Sequence, residues 1–359
     1  MRRRPLRVHS LKQKLFVGSL VFAAFLPLAC KRKAAPQNET PSVAARASAS
    51  APAASATLPN PASGSASVAP SAAPAEATAK ETSPEPTPAT YPWLGADDAP
   101  KAEGSLASRI APPPGYARVP VESGSFSAFV RGLPLAPKGT PVVAHDGAIV
   151  RAADDDYVEA VVAIDVGNAD LQQSADVIVR LHAEWLWGRG ERSKISYMAS
   201  TKLELPLSRW EKGQRLVTNN GSDVFWAIQG KPKEVDYAEF RRYLDAVFNW
   251  GNSTSLAVRS QKLDKPEELV PGDFFLHSHA PGHVAIVLDV AEKPGGERVA
   301  LLGQVLNPAQ SLHVLRPGRA TPWFSLRPGN AILTPYTSEF DWSELRRLDV
   351  PSTEAPGGS

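Results

Sequence analysis

The spacing of apolar residues changes period partway along the chain, and the change divides it into two kinds of element. Leu171, Ser174, Ala175, Ile178, Leu181, His182 and Trp185 recur at helical spacing and predict a helix over about 169–187, with Asn168 as its N-cap and Gly188 as its stop. A second helix is predicted from Asp236, with Glu239 three residues later as a capping-box partner. Its apolar face is Tyr237, Phe240, Leu244, Val247 and Phe248, and Gly251 closes it. Shorter helices are expected after Ser125 and after Ser253. Val158 to Val166 reads as a buried strand, broken by Gly167-Asn168. Beyond residue 273 the runs become short, β-branched and separated by turn residues: Phe274 to His277, His283 to Val290, Val299 to Leu306 and Leu312 to Leu315. Pro294-Gly295-Gly296 supplies the hairpin turn between the second and third of these. Helices followed by an antiparallel run make this an α+β domain, with helices packed on an antiparallel sheet.

The N-terminal quarter has neither period. Basic residues up to Lys14 precede an apolar run from Leu15 to Ala29, which ends at Cys30. That is the layout of a secretory signal peptide, here residues 1–30, and a cysteine just after the cut is the residue a bacterial lipoprotein acylates. The apolar run is shorter than the ~20 residues a spanning helix needs. Lys31 follows the cysteine and not Asp, which favours the outer membrane, with the protein facing the periplasm. Residues 31–105 are rich in Ala, Pro, Ser and Thr and poor in large apolar side chains, so they are expected to form a disordered tether. About 70 such residues span roughly 45 Å on average. All eight Trp lie at Trp93 or beyond. A single α+β domain is expected over 106–348, with a loose tail over 349–359.

Cys30 is the only cysteine, so the folded part has no thiol for a disulfide, a zinc site or a cysteine nucleophile. The formal net charge of +2 gives no argument for nucleic acid, and no phosphate-binding glycine loop appears. No cofactor is expected. His283 stands after Gly282 at the head of an apolar strand, and Gln304 interrupts another, so Gln304 should face something polar. The hairpin would set Gln304 beside the start of the His283 strand, whereas a one-residue slip would bring up Leu306 or Asn307. Gln172 and Gln173 are candidates to donate a hydrogen bond to a ligand. His277, His279 and His283 offer a rival, a metal site completed by Asp273 or Asp289. Asp154-Asp155-Asp156 lacks the glycine and trailing Glu of a calcium loop and reads as solvated.

Two resemblances bear on function. Pro271-Gly272-Asp273-Phe274-Phe275 followed by Gly282-His283-Val284-Ala285-Ile286-Val287 resembles the core of NlpC-type papain-like cell-wall peptidases. That resemblance implies a papain-like layout with His283 as base, a polar group on the next strand as its orienting partner, and a cysteine nucleophile near the start of an upstream helix. The segment Asp165 to Asp176, with Arg180-Leu181, Ala183-Glu184, Phe240 to Leu244, Gly282-His283 and Gln304 through Pro308-Ala309-Gln310, resembles an uncharacterised family of bacterial envelope proteins. Members of that family commonly place Cys where this chain has Ser174. The candidate catalytic set is therefore Ser174, His283 and Gln304, with Asp170 or Asp176 as substitutes for the neutral Gln304. Substrate-binding candidates are Gln172, Gln173 and Asn307. A serine hydroxyl is much harder to ionise than a thiol. The residues thus favour a tethered domain that binds cell-wall peptides or an envelope protein over a cell-wall hydrolase or amidase. In either case the partners expected are the membrane, through a lipidated Cys30, and peptidoglycan or an envelope protein.

Overall fold

The computed structural model describes residues 85–278, 282–327, 329–336 and 339–349. Cys30, the apolar run before it, the Pro-rich stretch up to residue 84, His279 and the tail from residue 350 lie outside the described residues. The described part is mixed α and β, with antiparallel sheets and six helices.

The largest sheet has nine strands: β1 (Ala117–Arg118), β2 (Val158–Val161), β3 (Ser260–Lys262), β4 (Phe274–His277), β5 (His283–Glu292), β6 (Arg298–Gln304), β7 (His313–Leu315), β8 (Phe324–Leu326) and β9 (Leu345–Leu348). Their order is β2-β7-β6-β5-β4-β9-β3, with β1 pairing the far end of β5 and β8 the start of β6, and every pair is antiparallel. The helices are α1 (Leu106–Arg109), α2 (Phe126–Arg131), α3 (Asp176–Gly188), α4 (Leu207–Glu211), α5 (Tyr237–Trp250) and α6 (Ser253–Val258). Strands β4 to β7 fall where the β-branched runs predicted them. β5 is buried along nine of its ten residues, which explains why it reads as one apolar run and not as an alternation.

Two cores share the central sheet. Val284, Ile286 and Leu288 of β5 pack with Val177, Ile178 and Leu181 of α3 on one face, while Ala285, Val287, Phe275 and Phe340 pack on the other. A third cluster joins the far side of α3 (Ala183, Leu186) to Phe240, Leu244 and Val247 of α5. At roughly 1.5–3 kcal/mol for each large apolar side chain removed from water, these contacts hold α3 from both sides.

Several expectations shift. α3 begins at Asp176, not at 169, and its N-cap is Ala175, which makes no side-chain cap. Residues 169–175 are wound instead into tight turns. Gly167 adopts φ +82°, Leu171 N–H bonds Ala169 C=O, and Gln173 N–H bonds Leu171 C=O. The Asp170 carboxylate, drawn off by the Ala309 N–H at 2.6 Å, holds this loop against the segment after β6. Gly188 is the last helical residue, with Arg189 as C-cap. The strand predicted to reach Val166 ends at Val161, and Val162 makes only an isolated bridge to Leu135. Asp236 caps α5 as expected by accepting from Glu239 N–H at 2.7 Å. The Glu239 carboxylate instead accepts from Trp210 Nε1 and pairs with Arg215.

The packed unit also begins before the predicted boundary at 105/106. Tyr91 and Trp93 belong to the main core, and Trp93 donates its indole N–H to Ala163 C=O at 2.6 Å. Two aromatic residues in a Pro-rich stretch suffice to anchor it. The hairpins 196–198/204–206 and 214–218/224–228 carried too weak an alternation to be predicted.

A β-bulge in β5 positions the site. The register between β5 and β6 shifts between Val287 and Asp289, so Ala285 faces Gln304. Continued without the shift, the pairing of Asp289 with Leu301 would set Ile286 opposite Gln304 and turn the amide to the face away from His283. The bulge also leaves Asp289 to Arg118 and Arg131, at 2.6 and 2.7 Å. Gly303 is required beside it, because a methyl there would stand 2.7 Å from Leu288 Cδ1.

Candidate functional site

His283 heads β5. The residue before it must be glycine, because a side chain at 282 would overlap Ser253 at the start of α6. Ser174 stands two residues before the first residue of α3, and the structure brings the two together. Ser174 Oγ lies 2.9 Å from His283 Nδ1. His283 Nε2 lies 3.2 Å from Gln304 Oε1, and Gln304 Nε2 lies 3.4 Å from His313 Nε2. His313 Nδ1 ends the row 2.9 Å from Ser311 C=O. All four side chains are buried, and the His283 ring stacks 5.7 Å from Phe340.

The ends of this row fix its direction. A carbonyl can only accept, so His313 carries its proton on Nδ1 and presents a bare Nε2. Gln304 then donates its NH₂ to His313 and turns its carbonyl oxygen to His283. His283 carries its proton on Nε2 and accepts at Nδ1. At the other end Val284 N–H donates to Ser174 Oγ at 2.8 Å, which leaves the hydroxyl proton for His283. Burial pushes the His283 imidazole down to about 4, against the support of Gln304, and pushes His313 down to about 4 as well. Both rings are therefore neutral at neutral pH, as the row requires.

An open cleft of about 380 Å³ borders Ser174, lined by residues that include Asp170, Gln173, Asp176, Asn252 and Asn307. Asn307 is exposed there. Gln173 also lines the cleft, with its amide N–H on Asp170 Oδ1 at 3.0 Å. Gln172 does not. Its carbonyl accepts from Arg180 at 2.7 Å and its NH₂ donates to Asp165 C=O at 3.2 Å, so its expected role as a donor to ligand is replaced by a structural one. Neither acid takes the place of Gln304. Asp170 is held by Ala309 N–H, and Asp176 accepts from Gln173 N–H at 3.2 Å. Burial raises the Asp176 carboxyl well above the usual carboxylate range.

Behind the Ser174 loop lies a buried charge network that sequence spacing could not reveal. Arg180 is fully buried and bonds Glu184 at 2.8 Å, Asp165 at 2.6 Å and Gln172. Arg241 reaches Asp165 at 3.2 Å, and Tyr237 donates to Glu184 at 2.8 Å. Burial opposes the Asp165 charge, but Arg180 and Arg241 outweigh it and hold that carboxyl down to about 2.

The described residues of the metal alternative have other partners. Both ring nitrogens of His283 are engaged, Asp289 and Asp273 are taken by arginines, and His277 Nε2 lies 3.2 Å from Glu344. Among the described residues no group of three or more His, Cys, Asp or Glu is placed to hold a metal ion, and His279 lies outside them. Asp155 and Asp156 are occupied by Tyr336 and Arg319.

Outside the site, His182 is a third histidine that burial pushes down, from 6.5 to about 4. On acidification the unfolded imidazole takes a proton near 6.5 while the folded one refuses it until about 4. Its contribution to stability is therefore lost as pH falls through that window, by about 2 kcal/mol at pH 5. Urea titrations of His182→Gln should show a slope of stability against pH shallower by about one proton between pH 6.5 and 4. An unchanged slope would refute the assignment.

The fold and site define a class: a mixed α/β domain in which a serine ahead of a buried helix meets a histidine at the head of a central antiparallel strand. The chain belongs to the DUF4846 family, a domain of unknown function (4846), whose model matches residues 106–347. No curated protein and no solved structure matches the chain. No helix among the described residues is long and apolar enough to cross a membrane.

Proposed function

We propose that the domain is an acyl-bond hydrolase, papain-like in layout, that acts on cell-wall peptides from a lipid anchor at Cys30. Ser174 is the nucleophile, His283 the base and Gln304 the group that orients the imidazole. The observation that carries this reading is the one-directional hydrogen-bond row from Ser174 through His283 to Gln304. As Oγ attacks the carbonyl carbon, its proton passes to His283 Nδ1. The tetrahedral adduct collapses, His283 returns the proton to the leaving amine, and water then releases the acyl group by the same steps. α3 begins two residues after Ser174, and the partial positive charge of a helix N-terminus favours an oxyanion formed near it. The Asp170 carboxylate beside the cleft suits a neutral or amine-bearing peptide more than an anionic one.

A second reading rests on a specific observation. The Ser174 hydroxyl is already both donor and acceptor, and forming an imidazolium at His283 runs against its burial. A domain of this kind can bind cell-wall peptides or an envelope partner without cutting them.

One experiment separates the two. The full protein is incubated with purified sacculi and short stem peptides, and products are read by mass spectrometry. New amine ends that vanish in Ser174→Ala and in His283→Ala establish the hydrolase. Co-sedimentation with sacculi and no products establishes the binder. Products that persist in both variants remove Ser174 and His283 from the chemistry.

A further inference from the structure

We infer that His313 is a positioning residue: it locks the side-chain amide of Gln304 so that the carbonyl oxygen faces His283, and so selects the His283 tautomer able to accept a proton from Ser174. The inference deepens the hydrolase reading, and its functional consequence rests on that reading.

The strand register supplies the first ground. His313 lies directly opposite Gln304 across β6 and β7, so both side chains share the face that carries His283. Chemistry supplies the second. An amide side chain has two ends of similar shape and opposite hydrogen-bonding sense, and nothing in Gln304 itself chooses between them. Turned round, Gln304 would present its NH₂ to His283 Nε2. That nitrogen would then have to be bare, and the ring proton would move to Nδ1, facing Ser174. The serine could then only accept, and the base would be lost. His313 prevents the turn. Its Nδ1–H is committed to Ser311 C=O at 2.9 Å, so Nε2 can only accept, and the group 3.4 Å away must be the NH₂. Burial supports the arrangement by disfavouring a second proton on the ring, which would abolish that acceptor. Arg151, which also disfavours the proton, and Asp155, which favours it, are the nearby charges, and their influences oppose.

A structural histidine in the same place would satisfy Ser311 and fill space without governing a ring two residues away. The two roles differ in the His283 tautomer, which is directly observable. The full chain holds seven histidines, and ¹⁵N-histidine labelling assigns the proton-bearing nitrogen of each ring by NMR. In the wild type, His283 is expected as Nε2–H and His313 as Nδ1–H. In His313→Leu, Gln304 loses its lock, and a substantial Nδ1–H population should appear at His283. In the double variant His313→Leu/Gln304→Glu, a carboxylate offers an acceptor in either orientation, and His283 should return to Nε2–H. A His283 that stays wholly Nε2–H in folded His313→Leu overturns the inference. So does a wild-type His313 protonated on Nε2, a result that needs no variant to fold.

If the wild type turns over stem peptides, His313→Leu should lower kcat at least about ten-fold with KM within about two-fold, since an imidazole in the wrong tautomer is a failed base. The expected tautomers without any turnover would sink the hydrolase reading and leave the role of His313 standing.

Discussion

Ser174→Cys is expected to give a thiol that iodoacetamide alkylates at pH 6 at least about ten times faster than the same thiol in Ser174→Cys/His283→Ala. A sulfur in place of Ser174 Oγ sits against His283 Nδ1, which can accept the thiol proton, and two residues ahead of α3, whose N-terminus favours the thiolate. A free cysteine, with a pKa near 8.5, is ionised to roughly 0.3% at pH 6, and one lowered to about 6.5 to roughly a quarter. The gain in thiolate is partly offset because a less basic thiolate is a poorer nucleophile, which leaves about an order of magnitude. His283→Ala removes the imidazole and should remove most of the gain. Peptide mass spectrometry separates labelling at 174 from labelling at Cys30. Equal rates in the two variants would mean that the serine and histidine are neighbours without coupling, and the case for a nucleophile at 174 would fall with them. A faster Ser174→Cys should also cleave any stem peptide that the wild type cleaves, because a thiol needs less help from a neutral orienting group than a hydroxyl does.

How far the sequence disclosed this site depends on which interactions are local. The four strands from Phe274 to Leu315 are readable because each is a short aromatic or aliphatic run between turn residues, and two-sided burial leaves them mostly apolar. Gln304 was readable as a polar side chain in such a run. Whether it or Asn307 faced His283 turned on one residue of register, and the bulge beside Leu288 that decides it has no sequence sign except Gly303. His313 lay in the open, one position into an apolar alternation, but its meaning required that same register. α3 starts later than its apolar spacing predicts because helical spacing continues through Leu171 and Ser174, while Gly167 and the bond from Ala309 to Asp170 wind those residues into turns. The composition of its neighbours places Trp93 in the tether, and burial of Tyr91 and Trp93 in the main core, with the indole N–H on Ala163 C=O, outweighs that composition. The Arg180 network was invisible for a different reason. Its members come from residues 165 to 241, and although Arg180/Glu184 on α3 and Tyr237/Arg241 on α5 are each four apart, no spacing tells that the two helices share one network.

That network yields the largest expected loss of stability. Arg180→Met should cost about 3–5 kcal/mol in urea unfolding, because it leaves the fully buried Glu184 with Tyr237 as its hydrogen-bond donor and only the more distant charge of Arg241, and takes one of two cations from Asp165. Burial already pushes the Glu184 carboxyl upward against Arg180 and Arg241, and removing Arg180 should push it further. Arg180→Met/Glu184→Leu should recover part of the loss, since it removes the stranded acid together with its partner and fills the space with apolar atoms. A cost below about 1 kcal/mol for the single change would show that Arg180 contributes little where it lies. The consequence for the site follows from Gln172, which bonds both Arg180 and Asp165 C=O and so ties the loop before Ser174 to α3. With Arg180 gone that loop loses its inner anchor while α3 keeps its apolar contacts, so Ser174 should drift from His283 under conditions where the domain is still folded. The sensitive reporter is alkylation of the cysteine in Ser174→Cys/Arg180→Met, which should lose its His283-dependent acceleration before the urea transition begins.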